Sequence, residues 1–106
     1  MKAITLGLLL IAMNTIAAPV AIVIHAGAGG KPTLPAALEK EYHTTLAKAL
    51  RAGHSILKKG GSAMDAVEIA IVVMENSPLF NAGKGAVFTS TGENEMDASI
   101  MDGRTL

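Results

Sequence analysis

Four groups of residues in this sequence are of types that perform chemistry. His25 closes an apolar run and opens Ala26-Gly27-Ala28-Gly29-Gly30, where absent side chains let a backbone approach an anion closely. Counted from Gly27, however, the third glycine of G-x-G-x-x-G falls on Pro32, and Lys31 is followed by that proline, so neither nucleotide fingerprint is complete. A tight turn is the simpler reading. His25, His43 and His54 are too scattered for a zinc site. His43 and His54 read as solvated, and His25 as hydrogen-bonded within a core. Glu95 and Asp97 share one face of an alternating segment, as a carboxylate pair for acid–base work would. They read equally as the solvated face of a hairpin. Leu79-Phe80-Asn81-Ala82-Gly83-Lys84-Gly85 spends small residues and one Asn in a connector, which can turn carbonyls onto a cation or N–H groups onto an anion. Composition leaves that choice open. No Ser stands in G-x-S-x-G, and there is no Cys to act as nucleophile, thiolate ligand or disulfide.

These residues need elements to place them. Val20-Ala21-Ile22-Val23-Ile24-His25 is apolar on both faces and predicts a strand covered on both sides. Pro32 and Pro35 hold off a helix, after which Leu38, Tyr42, Leu46, Leu50, Gly53 and Leu57 recur at helical spacing and predict a helix from Ala36 to Lys59. Gly60-Gly61 ends it, and Ser62 with Asp65 forms a capping box for a second helix, Ala63 to Asn76. That helix is apolar nearly all round, which predicts burial on most sides, and Pro78 ends it. Ala86–Ser90 and Glu95–Met101, joined by Thr91-Gly92-Glu93-Asn94, predict a β-hairpin. The expected class is α/β (α+β), with element order β-α-α-β-β.

The 106 residues carry nine basic and nine acidic side chains and are 50% apolar. Such a length allows one domain at most, and the charge balance argues against a nucleic-acid partner. Residues 1–17 have the layout of a secretory signal: one Lys, a short apolar core too brief to span a bilayer, and Thr15-Ile16-Ala17 before the cut. A periplasmic or secreted protein follows, with no membrane attachment once the signal is removed. A doubly covered strand and an all-apolar helix need more covering layers than residues 18–106 supply, so this stretch reads as part of a larger domain.

His25-Ala26-Gly27-Ala28-Gly29, Gly60-Gly61-Ser62-Ala63-Met64-Asp65-Ala66-Val67-Glu68, Pro78-Leu79-Phe80-Asn81-Ala82-Gly83-Lys84-Gly85-Ala86-Val87-Phe88-Thr89 and Met96-Asp97-Ala98-Ser99-Ile100-Met101-Asp102-Gly103 together resemble the isoaspartyl peptidase/L-asparaginase family. This is the plant-type asparaginase branch of the N-terminal-nucleophile hydrolases. The resemblance implies an αββα sandwich, here in part, and a precursor that cleaves itself at a Gly–Thr bond. The freed threonine becomes the nucleophile, with its own α-amine as base. The implied substrates are isoaspartyl dipeptides and L-asparagine, and the chemistry needs no cofactor.

The sequence contains no Gly-Thr pair. Residues 18–106 therefore resemble the N-terminal part of the family's α-subunit region, whose remaining precursor would be its partner in an αβ assembly. Alone the chain is expected to be inactive, and a non-catalytic interaction module is the alternative. The resemblance also implies a structural sodium held by the backbone carbonyls of Met74, Glu75, Ser77, Phe80, Ala82 and Lys84. Asn81 matches an Asn close to the nucleophile, and His25–Gly29 matches the loop tied to maturation. Ala26 stands where the family has Gly, which restricts positive φ there.

Overall fold

The computed structural model describes residues 18–27 and 33–105. Residues 1–17, read above as a signal, lie outside the described residues, as do Ala28, Gly29 and the rest of the glycine-rich turn. Two helices and a short 3-10 turn, Gly103–Thr105, are formed.

Helix α1 spans Ala36–Lys58 and α2 spans Ala63–Glu75, each within one residue of the end its sequence predicts. Local chemistry accounts for both boundaries between them. Gly60 takes φ +80°, its N–H donates to Leu57 O at 3.0 Å, and the Gly61 N–H donates to Ile56 O at 2.9 Å. This paired arrangement satisfies carbonyls that the last turn of α1 would leave bare. Two residues on, the Ser62 hydroxyl oxygen accepts the Asp65 N–H at 3.0 Å and caps α2.

The two helices pack through small side chains. Ala49, Ala66 and Ala70 are buried, and Gly53 lies against α2 so closely that a Cβ there would stand 2.7 Å from the Ala66 carbonyl oxygen. It would also meet Ile22 Cδ1 at 2.5 Å, so the segment before α1 closes the same seam. A second cluster gathers Ala49, Met74 and Phe80, with Ile24, Tyr42, Leu46, Val73 and Leu79 packed around it. The connector after α2 thus folds back over the first half of α1.

The expected β-α-α-β-β order is not found. Among the described residues there is no strand, and so no part of a sandwich sheet. A strand exists only through pairing, and residues 18–27 make no backbone hydrogen bond to any other described residue. Val20–His25 therefore carries the composition of a strand without a ladder to join. The predicted hairpin forms its turn and stops there. Thr89 N–H donates to Glu93 O at 2.7 Å and Gly92 takes φ +85°, as turn residues should. Beyond the turn, the Asn94 side-chain amide donates to Ala86 O and Val87 O at 3.1 and 2.9 Å, taking carbonyls that a facing backbone would have used. Glu95–Met101 is exposed throughout.

Burial of α2 also differs from expectation. Ala66, Ala70 and Met74 are covered, whereas Val67, Ile69, Ile71 and Val72 are exposed. One helix partner covers one stripe, and an all-apolar helix has more than one.

Candidate functional site

The connector from Asn76 to Ala86 owes its shape to its glycines. Lys84 N–H donates to Glu75 O at 2.8 Å, Gly85 N–H to Phe80 O at 3.1 Å and Ala86 N–H to Gly83 O at 2.9 Å. A Cβ on Gly83 would collide with the backbone of Glu75, and one on Gly85 with the carbonyls of Pro78 and Phe80. Only a residue without a side chain permits main-chain oxygens to crowd together in this way. The loop is moored to α1 by Tyr42, whose hydroxyl donates to Leu79 O at 3.0 Å and whose ring meets Phe80 edge-on at 5.7 Å.

Between this loop, α1, the last turns of α2 and the segment ending at Gly27 lies a cavity of about 490 Å³. Its lining includes His25, Ala26 and Gly27, Glu75, Phe80, Asn81 and Ala82, and Tyr42 and Met74. His25–Gly27 and Asn81, which stand in separate motifs of the sequence, therefore line one space. His25 and Asn81 line it and are exposed rather than buried, so His25 is not the core residue expected, and it makes no side-chain hydrogen bond among the described residues. His43 and His54 are exposed on α1 as expected, His43 within 3.8 Å of Glu39. Glu95 and Asp97 are exposed and take no part in the cavity.

Gly27 takes φ +82° with open space around its Cα, and no described non-glycine residue has positive φ. Ala26 thus keeps an ordinary backbone, and the left-handed residue is the glycine after it.

Among the described residues no three His, Asp or Glu side chains gather into a metal-ligating group. Oxygen donors here are main-chain carbonyls. Of the six named above, Met74, Glu75, Phe80 and Ala82 line the cavity, while Ser77 and Lys84 lie outside its lining. Met74, Glu75, Ser77 and Phe80 each accept one backbone N–H, and a carbonyl oxygen has a second lone pair. The Glu75 oxygen lies close to Gly83 and the Pro78 and Phe80 oxygens close to Gly85, and neutral, hard main-chain oxygens are the donor type that an alkali cation takes.

In the sequence Tyr42 stands as one apolar position among the six of its helical stripe. Its signal was the polar tip: a tyrosine on the inward stripe of a helix needs a partner for its O–H.

No described helix is long and apolar enough to cross a membrane. The asparaginase family model, Asparaginase_2, matches residues 18–106. Over 85 residues the chain is 48% identical to the isoaspartyl peptidase/L-asparaginase of Danio rerio, covering 80% of this chain and 26% of that protein. Against the Homo sapiens protein of the same name it is 46% identical over 85 residues, covering 80% and 27%. The Mus musculus protein is 45% identical over 101 residues, covering 90% and 31%. The chain spans about a quarter to a third of the length of these relatives. Family match and identities agree with the motifs that line the cavity: this chain belongs to the asparaginase family, alongside the isoaspartyl peptidases/L-asparaginases.

Proposed function

We propose that residues 18–105 form the cavity-building part of a threonine-nucleophile hydrolase acting on isoaspartyl dipeptides and L-asparagine. The observation that carries this reading is the meeting of Asn81 with His25–Gly27 across one cavity, on two segments more than fifty residues apart in the chain. In this reading Asn81 works through its side-chain amide, which offers both donor and acceptor to orient a hydroxyl nucleophile. Nucleophile and base come from the threonine released at a Gly–Thr bond, and these 106 residues hold no such pair. The hydroxyl attacks the side-chain carbonyl of the substrate, the amine leaves, and water hydrolyses the resulting β-aspartyl ester.

The loop 74–84 is proposed to bind sodium through its carbonyls, holding the wall on which Asn81 stands. The cation supplies charge that keeps oxygens together and takes no part in bond making. Support for this is the crowding of main-chain oxygens around Gly83 and Gly85.

The test replaces the matched segment of the Danio rerio relative with the corresponding residues of this chain. The graft should cleave itself and hydrolyse β-aspartyl dipeptides, whereas the 106-residue chain alone should give no turnover above a buffer blank. Asn81→Ala in the graft should lower kcat by about ten- to a hundredfold, as misplacement of a nucleophile does. A graft that retains full kcat with Asn81→Ala removes that residue from the site.

A further inference from the structure

The bond from Tyr42 to Leu79 O is the longest-range side-chain hydrogen bond among the described residues, joining positions 37 apart; every other spans eight or fewer. It lies on the segment that carries Asn81. Leu79 is tied to α1 by its carbonyl and Phe80 by the edge-on contact of the two rings, with planes 79° apart. Phe80 is buried, and its carbonyl accepts the Gly85 N–H, closing the chain from 80 to 85 on itself. Asn81 is the next residue along, exposed at the cavity wall. It has no hydrogen bond of its own among the described residues that would fix its place, so its position is inherited from its neighbours.

We propose that Tyr42 is the positioning residue of this cavity: its hydroxyl, seated on the Leu79 carbonyl, sets where Asn81 stands and how the 74–84 carbonyls face one another. The proposal deepens the hydrolase reading and rests on it for the importance of Asn81. A phenol has one O–H to give, and here it is committed to a partly buried carbonyl. Removing it leaves that carbonyl without its donor and frees the loop from α1 at its midpoint. The same link runs in reverse. A cation that gathers the 74–84 carbonyls favours the loop shape that Tyr42 holds, so each stabilises the other.

Amide hydrogen exchange of the full chain, followed by mass spectrometry, separates the possibilities. Wild type and Tyr42→Phe are compared in sodium chloride and in choline chloride at equal ionic strength. Tyr42→Phe should exchange the hydrogen-bonded amides within 80–86, those of Phe80, Lys84, Gly85 and Ala86, about three- to tenfold faster, the equivalent of one net hydrogen bond, while α2 and the second half of α1 are unchanged. Sodium should slow those amides in wild type and do so less in the variant. Equal exchange over 80–86 in both chains overturns the proposal, and so does a Danio rerio graft in which Tyr42→Phe leaves kcat unchanged, since displacement of Asn81 should lower kcat with KM kept. If sodium has no effect on wild type but Tyr42→Phe still loosens the loop, the positioning role stands and the cation reading falls.

Should Tyr42→Phe abolish both helices, the link is read from its other end. Tyr42 is the only tyrosine and there is no tryptophan, so intrinsic emission reports this side chain alone. Gly83→Ala, which forces the loop off Glu75, should change that emission; identical emission overturns the proposal.

Discussion

Asp102 and Arg104 form the most heavily bonded side-chain pair in the described chain. The Arg104 guanidinium meets both carboxylate oxygens, at 2.7 Å in its shortest contact, and the Arg104 N–H adds a bond of 3.0 Å. The guanidinium first, and the backbone N–H second, hold the Asp102 carboxyl below its ordinary range, and the carboxylate raises Arg104 above its own. A lowered carboxylate favours the folded form above its unfolded pKa and loses that preference as pH falls through the folded one. The turn Gly103–Thr105 should therefore be intact at neutral pH and open only below the usual aspartate range, at lower pH than a free carboxylate would dictate. Arg104 NMR shifts followed on acidification check this; opening at or above the ordinary Asp range contradicts it. At this scale the sequence was informative in part. Gly83 and Gly85 were visible as small residues, and their spacing allowed carbonyls to converge. That they press on Glu75, Pro78 and Phe80 was not visible, because the contact depends on how the loop closes. Tyr42 was hidden for the same reason, since its partner is a backbone oxygen that no residue type announces.

The helices were legible because what makes them is local. Gly60, Gly61 and Ser62 act on neighbours within five positions and make the bonds their chemistry offers, whereas the Asp65 carboxylate makes no return bond to the Ser62 N–H among the described residues, so the box is half formed. Ser62→Ala should remove the cap of α2 and cost about 1 kcal/mol, seen as a lower midpoint in urea with unchanged slope. No loss of midpoint would show that packing against α1 alone sets the start of α2. The expected strands are absent among the described residues because composition reports a preference whereas a ladder needs a second backbone. Val20–His25 and the arms of the 89–93 turn have the residues for pairing, but the described chain sets no backbone beside them. Asn94 then takes the open carbonyls of Ala86 and Val87 with its side chain.

Across the whole molecule, apolar surface is unevenly covered. Val67, Ile71 and Val72 are exposed on α2, and Val87 and Phe88 lie 73% and 74% open. Exposed apolar area of this kind drives association. The chain should self-associate at micromolar concentration, and Val67→Lys combined with Phe88→Lys should shift it toward monomer in light scattering without lowering helicity. A monodisperse wild-type monomer would contradict this. The covered part has a different character. α1 and α2 are joined by four residues, Lys59–Ser62, and the seam between them is built from Ala and Gly. Contacts between near neighbours in sequence close quickly, because little chain entropy is lost in bringing them together. This helical pair is thus suited to form on the microsecond scale, early enough to be complete while a ribosome is still adding later residues, and to offer them a ready surface on which to assemble.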